Sequence, residues 1–481
     1  MNRRMIFNAV GMMLRVEAAL LLLPAITSAI YRESEAFAFL SAAVLGYAIG
    51  ILPKLLYKPK THVIYAKEGF IIVAFSWIML SLIGSLPFII SGEIPRLADA
   101  FFETVSGFTT TGASILTDVE AHSHGVLFWR SFTHWIGGMG IIVFVTAIIP
   151  NVSERPIHIL RAEMPGPTMG KLVPRIKDTA VILYLIYMVM TVIETVLLCI
   201  GGMPFFESLL HSFGTAGTGG FGLKGNSIAG YSPYIQWIIG IFMVLFGVNF
   251  NLYYLIIIKK LKTAVKSREL WFFFAVIGIS TLLITFNIRY LFGNFSETLR
   301  TAFFQVASII STTGYATADF NTWPQFSRYL ILLLMFFGGC AGSTAGGMKM
   351  SRIMMLFKLI RNETQRLIHP RAVTSLRFEG KTLDGATSRN LSNYFLIYFV
   401  CLAVIVLLLC GEPFSFLTNF SAAVSCFNNV GPGLDAVGPA SSYAAYSDFA
   451  KYILSFAMLL GRLEIFPIII AFSPSAWLRN K

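Results

Sequence analysis

Ten stretches of this chain stay mostly apolar for about 20 residues, the length a helix needs to cross a bilayer: 8–31, 36–57, 69–91, 125–149, 178–201, 233–258, 270–292, 324–347, 390–411 and 447–473. Peptide groups find no water in hydrocarbon, so a spanning segment must satisfy its own hydrogen bonds, and runs of this length without strict alternation select helices over a barrel. Of the 481 residues 56% are hydrophobic and only 13% charged, which excludes a soluble globular domain. The eighth stretch is dense in glycine and reads as broken, its helix resuming and continuing to about residue 360. The first stretch follows Arg3 and Arg4 like a secretory signal, but it is too long for one and carries Glu17, so it reads as a retained helix.

A formal net charge of +13 would suggest nucleic acid in a soluble protein. Here the basic residues sit between apolar stretches: Arg3 and Arg4, Lys54 to Lys67, Arg155 to Lys177, Lys259 to Arg268, Arg361 to Arg389, and Arg479 with Lys481. These are alternate connections, so the positive-inside rule puts both termini in the cytoplasm and makes membrane lipid, not nucleic acid, the partner of the excess charge. Cys199, Cys340, Cys401, Cys410 and Cys426 lie in or beside apolar stretches with no ligand spacing and read as small hydrophobes.

The opposite connections, 92–124, 202–232, 293–323 and 412–446, repeat one pattern. Each opens with an apolar segment too short to span (97–108, 205–217, 296–310, 415–427) and then reaches a loop centred on one glycine: Gly112, Gly220, Gly314 or Gly431. The expected fold is an all-α polytopic membrane protein. Four parallel, pseudo-symmetric repeats, each a helix, a half-buried pore helix, a loop and a second helix, surround one pore along the membrane normal, and two N-terminal helices stand outside. The boundaries are 1–60 for the N-terminal pair, then 61–155, 156–265, 266–365 and 366–481.

Irregular backbone at membrane depth is tolerated where it lines a polar cavity, and four such loops together can line one pore. Moving an alkali cation requires oxygens in place of its water shell, and backbone carbonyls supply them without fixed charge. Glycine opens the backbone angles that such a loop needs, while each half-helix directs the negative end of its dipole at the loop. The candidate ion-binding residues are Thr110, Thr111 and Gly112; Thr218, Gly219 and Gly220; Thr312, Thr313 and Gly314; and Asn429, Val430 and Gly431.

The ordered set TTTGAS, GTGGFG, STTGY and NNVGPG resembles the Trk/Ktr/HKT superfamily of potassium transporters over residues 69–475, and the extra N-terminal pair is similar to its TrkH/TrkG branch. The resemblance implies a K⁺ uptake subunit of the bacterial cytoplasmic membrane with these loops as selectivity filter. It also implies a homodimer with one pore per chain, and a cytoplasmic nucleotide-binding regulatory subunit of TrkA or KtrA type meeting the basic loops 150–177 and 361–390. K⁺ would be the transported ion, with no bound cofactor. A glycine in all four loops is the family's K⁺ pattern; a Na⁺ or mixed-cation transporter, H⁺- or Na⁺-coupled, is the alternative on the same fold. Residues 219 and 430 depart from the threonine of the other copies.

Two further features match the branch. Gly338, Gly339, Gly342, Gly346 and Gly347 fall where the family has an intramembrane gating segment, and Arg462 falls where it places an arginine in the pore below the filter. The residues alone leave a small-residue packing face open for the first, and a pair with Glu464 or snorkelling for the second. Glu17 and Glu194 are intramembrane acids, and Asp99, Glu103, Glu207 and Glu297 near the half-helix starts could draw cations to the mouth or favour helix N-termini. Gly217 to Gly222 matches G-x-G-x-x-G without a preceding strand, and Gly342 to Lys349 has Met348 where a P-loop needs lysine, so nucleotide binding is set aside. His122, His124 and His134 lack a fourth metal ligand, and an enzyme built on His122, His124 and Glu103 lacks a hydrolase motif.

Overall fold

The computed structural model describes residues 3–56, 66–140, 176–371, 377–379, 381–382 and 385–477. Their architecture is a bundle of apolar helices; one two-residue antiparallel hairpin, Arg377–Phe378 with Lys381–Thr382, is the exception among the described residues. Among the described residues six helices are long and apolar enough to cross a membrane, or up to eight if two sharply bent pairs each count once. Ten spans were expected, the eighth of them broken, and the differences have local causes. The stretch at 125–149 starts as His124–Gly138 and then leaves the described residues.

The two bends are the clearest corrections. Pro233–Phe246 and Phe250–Ile257 meet at 91°, because the backbone between them serves another segment: Gly247 O accepts from Cys340 N at 2.9 Å, and Phe250 N donates to Gly342 O at 3.0 Å. Asn249 then caps the second piece, its side chain accepting from Asn251 N at 2.9 Å. Asp448–Arg462 and Phe466–Phe472 meet at 119° across Glu464 and Ile465, both in left-handed backbone, and Pro467 sits where the first turn of the new helix tolerates it.

The glycine-dense stretch is broken as expected. Gln325–Leu334 stops after 10 residues, residues 338–349 run as a loop, and Met350–Ile368 continues beyond.

The four half-helices are Leu97–Phe108, Phe205–Gly217, Phe295–Ile310 and Phe416–Phe427, each within a residue of its expected bounds. Serine or asparagine caps start the third and fourth, with side chains accepting from Ser296 N and Thr418 N. The N-terminal pair, Arg3–Tyr31 and Ala36–Leu56, is held by close backbone approach: a Cβ on Gly50 would lie 2.7 Å from Gly11 O. Small residues are how helices approach in lipid, where burial gives no hydrophobic gain.

A ring of four loops and the segment beneath it

The four half-helices end in the same backbone device. Thr110, Thr218, Thr312 and Asn429 all take left-handed φ of 55–56°. The next amide bonds back five residues in every copy: Thr111 N to Ser106 O, Gly219 N to Gly214 O, Thr313 N to Ser308 O and Val430 N to Ser425 O, at 2.8–2.9 Å. This is a Schellman-type end, which satisfies the last carbonyls of the helix. Each glycine follows with φ of +78° at Gly112 and Gly220, +88° at Gly314 and +102° at Gly431.

The loops close into a ring. A Cβ on Gly112 would fall on Gly219 O, one on Gly220 on Thr313 O, one on Gly314 on Val430 O, and one on Gly431 on Thr111 O. The glycines are therefore required twice, by backbone angle and because the neighbouring loop's carbonyl occupies the side-chain position. Farther out the contacts run in the same circular order: Gly225 N reaches Glu120 of the first copy, Ile228 N reaches Ala316 O, Asn321 and Asp435 exchange two bonds, and Tyr443 N reaches Ser114 O. Lys451 and Asp99 close the fourth copy onto the first as a 2.5 Å ion pair.

All twelve candidate ion-binding residues come together here. The ring separates an outer cavity of ≈ 350 Å³, lined by all four glycines, from an inner one of ≈ 50 Å³ that touches Gly346, Lys349 and Arg462. The departure from threonine at residue 219 has a physical reason. The Gly219 side-chain position is filled by the ring of His134, whose Nδ1 lies 2.9 Å from Gly107 O and whose Nε2 accepts from Phe221 N at 3.3 Å. Val430 is fully buried where Thr111 and Thr313 instead bond Thr109 and Ser311 at 2.7 Å. His134 thus ties the first half-helix to the second loop, a role its sequence position gave no means to see.

Below the ring lies the glycine-dense segment, pinned at both edges. Gly338 N bonds Met348 O at 2.8 Å, and Gly339 O accepts from Met350 N at 3.0 Å. Gly346 N bonds Thr312 Oγ1 at 2.7 Å, tying the segment to the third loop. Gly342 and Gly347 have φ of +78° and +66°, and a Cβ on Gly346 would press on Asn429. The five glycines are a folded loop under the ring and not a packing face between two helices.

Arg462 reaches into the same place. Its guanidinium donates to Thr110 Oγ1 at 3.2 Å, to Thr344 O at 2.9 Å, to Gly138 O at 2.8 Å and to Gly137 O. A pair with Glu464 is not what holds it, since Glu464 bonds Arg352. Lys349, which sequence reasoning passed over, donates to Ala345 O and brings a second cation to the inner cavity. The planar guanidinium, with five donors, can serve carbonyls from two segments and the Thr110 hydroxyl at once.

The acids near the half-helix starts are mostly structural. Glu103 is 1% exposed and pairs with Arg130 at 2.7 Å while accepting from Ile115 N, so it does not face the mouth. Asp99 is held by Lys451 and Glu207 by Tyr231, which leaves Glu297 as the exposed member. His122 and His124 bond Glu93 and Glu33 separately, against the shared site an enzyme or metal centre would need. Glu17 and Glu194 are enclosed among helices, 3% and 0% exposed. Outside the membrane, the hydroxyls of Ser415 and Thr418 hold the Asp435 carboxyl below its ordinary value of 3.8.

Known proteins share the fold and a related sequence. Residues 35–481 match the family model of TrkH, described as a cation transport protein. The chain is 37% identical to a Trk system potassium uptake protein TrkH of Salmonella typhimurium over 99% of its length and 100% of the relative's. It is 34% identical to the TrkG protein of Escherichia coli, each chain covered to 98%. Among solved structures it superimposes on the potassium transporter TrkH of Vibrio parahaemolyticus with a TM-score of 0.90 and 32% identity, over 99% of this chain and 100% of the other. Matches of this extent over an integral membrane bundle exclude a separate enzyme class: the chain belongs to the TrkH family of cation transport proteins.

Proposed function

We propose that this protein is a K⁺ uptake subunit of a bacterial cytoplasmic membrane, with the four-loop ring as its selectivity filter. The single observation that carries the reading is the ring itself: four half-helices with matching backbone ends present the carbonyls of Thr111, Gly219, Thr313 and Val430 in circular order. Carbonyl oxygens replace the hydration shell of an alkali cation, and four helix C-termini add negative potential. The relatives named as potassium uptake proteins support K⁺ as the cargo.

In this reading K⁺ enters the outer cavity, sheds water at the twelve loop residues, and meets a closed gate made of the 338–347 segment, Arg462 and Lys349. Two cations at the inner cavity oppose a cation in passage, so both must withdraw for flux. The four repeats share one pore, the N-terminal pair lies outside it, and both termini face the cytoplasm. The chain works as a homodimer under a cytoplasmic nucleotide-binding subunit of TrkA or KtrA type. Of the basic loops proposed to meet that subunit, 150–175 lies outside the described residues.

The test is growth of a K⁺-uptake-deficient bacterium in low-K⁺ medium. The wild-type chain should restore it, and Gly314→Ser should not, because any side chain there meets Val430 O and Pro432. Full rescue by Gly314→Ser, or proteoliposomes that pass Na⁺ as readily as K⁺, would defeat the assignment.

A further inference from the structure

We infer that Glu269 is a positioning residue that latches the intramembrane segment shut, and that the hairpin at residues 377–382 is the handle that releases it. The inference rests on the gate reading above and names how that gate is held.

One oxygen of Glu269 serves two backbone amides that flank the end of the loop. Its Oε1 accepts from Ala341 N at 2.7 Å, inside the segment, and from Ser351 N at 3.0 Å, in the first turn of Met350–Ile368. Glu269 is 5% exposed and stands in the first turn of Arg268–Ile288, a different helix. An acid in a helix's first turn ordinarily serves that helix's own free amides. Here another acid has taken that duty: Glu379 Oε1 accepts from Arg268 N at 3.0 Å, Glu269 N at 3.2 Å and the Ser267 hydroxyl at 3.2 Å. Glu269 is thereby left to hold the loop.

Glu379 sits in the turn of the hairpin. Its neighbour Phe378 is 2% exposed, and Lys358 of Met350–Ile368 stands 5.8 Å from the Phe378 ring centre. The hairpin therefore touches both helices that Glu269 joins, Arg268–Ile288 and Met350–Ile368. A pull on the hairpin draws Glu379 from the amides of residues 268 and 269, tilts the first turn, and takes Oε1 away from Ala341 and Ser351. Leaving a buried amide without its acceptor is costly enough that losing one of these bonds shifts a closed-to-open equilibrium by about tenfold.

The readout is Cys340, which lies inside the latched segment and is 1% exposed. In a full-length chain carrying Cys199→Ala, Cys401→Ala, Cys410→Ala and Cys426→Ala, reaction of Cys340 with a membrane-permeant maleimide reports release without requiring flux. Glu269→Ala and Glu379→Ala should each speed that reaction by about tenfold. Both should raise K⁺ flux through proteoliposomes and leave the K⁺ to Na⁺ ratio at the wild-type value, since the ring is untouched. Glu269→Gln keeps an oxygen that can accept both amides and should stay within about threefold of wild type. Equal Cys340 rates in wild type and both alanine variants would overturn the latch, as would Glu269→Gln reacting as fast as Glu269→Ala. Should Glu269→Ala fail to fold, Glu379→Ala carries the same test. A wild-type chain without K⁺ flux would defeat the transport reading and leave the Cys340 comparison standing.

Discussion

Two glycines with the same backbone angle separate strain from crowding. Gly92 and Gly112 both have φ of +78°, but a Cβ on Gly92 meets nothing within 4 Å, whereas one on Gly112 falls on Gly219 O. Left-handed backbone costs an L-residue about 1–2 kcal/mol, and forcing a methyl into a filled site costs about 1–3 kcal/mol more. Gly92→Ala should therefore lose about 1 kcal/mol of stability and keep wild-type transport. Gly112→Ala carries both terms, about 3 kcal/mol, which is about a hundredfold when it falls on the ion-occupied ring. Gly220→Ala should match it against Thr313 O, while at Gly431 the contact is looser, with Thr111 O at 2.6 Å, but φ of +102° adds to the backbone cost. The assay is K⁺ and Na⁺ flux in proteoliposomes with thermal unfolding in detergent alongside. Wild-type K⁺ preference in Gly112→Ala and Gly220→Ala would refute the reasoning, because the crowded atoms are the proposed ligands themselves.

Three other outcomes follow from named contacts. Arg462→Ala removes donors to Thr110, Thr344, Gly137 and Gly138 and should raise K⁺ flux several-fold; Arg462→Lys should resemble it, because one ammonium cannot reach all those acceptors. His134→Ala leaves Phe221 N without its buried acceptor and opens space beside Gly219, so it should cost about 2–4 kcal/mol and weaken K⁺ discrimination, read by unfolding and flux. Asp435 is held below its ordinary value, so its tie to Ser415 and Thr418 stabilises the outer loop above pH 3.8 and is lost as pH falls below it. The unfolding midpoint should fall as pH drops below 3.8, and Asp435→Asn should flatten that slope.

Most of the half-helices, their order and the central glycines were legible in the sequence because each depends on local length and composition. An apolar run of 12 to 16 residues cannot span, and a glycine after it ends a helix whatever surrounds it. The same logic located the break at 338–347. The bends at 247–249 and 464–465 were not legible, since Pro233–Ile257 and Asp448–Phe472 read as continuous apolar spans. Their helices end where Gly247 and Phe250 bond the neighbouring segment, and where Glu464 meets Arg352.

The site divides along the same line. Sequence named the twelve loop residues and Arg462, but it offered Glu103 to the mouth, and the structure gives that carboxylate to Arg130 and Ile115 N instead. It treated residue 219 as an irregularity, and the space is taken by His134 from 85 positions earlier in the chain.

What the sequence determined by itself was the solvent and the parts: a chain this apolar must fold in a bilayer, as helices, with glycine where the helices stop. What the tertiary structure alone decided was which carbonyl faces which glycine, which acid pairs with which base, and which amides Glu269 holds. Backbone and hydropathy are properties of neighbours in sequence, whereas each of those contacts joins residues tens to hundreds of positions apart, and only closure of the ring brings them within reach.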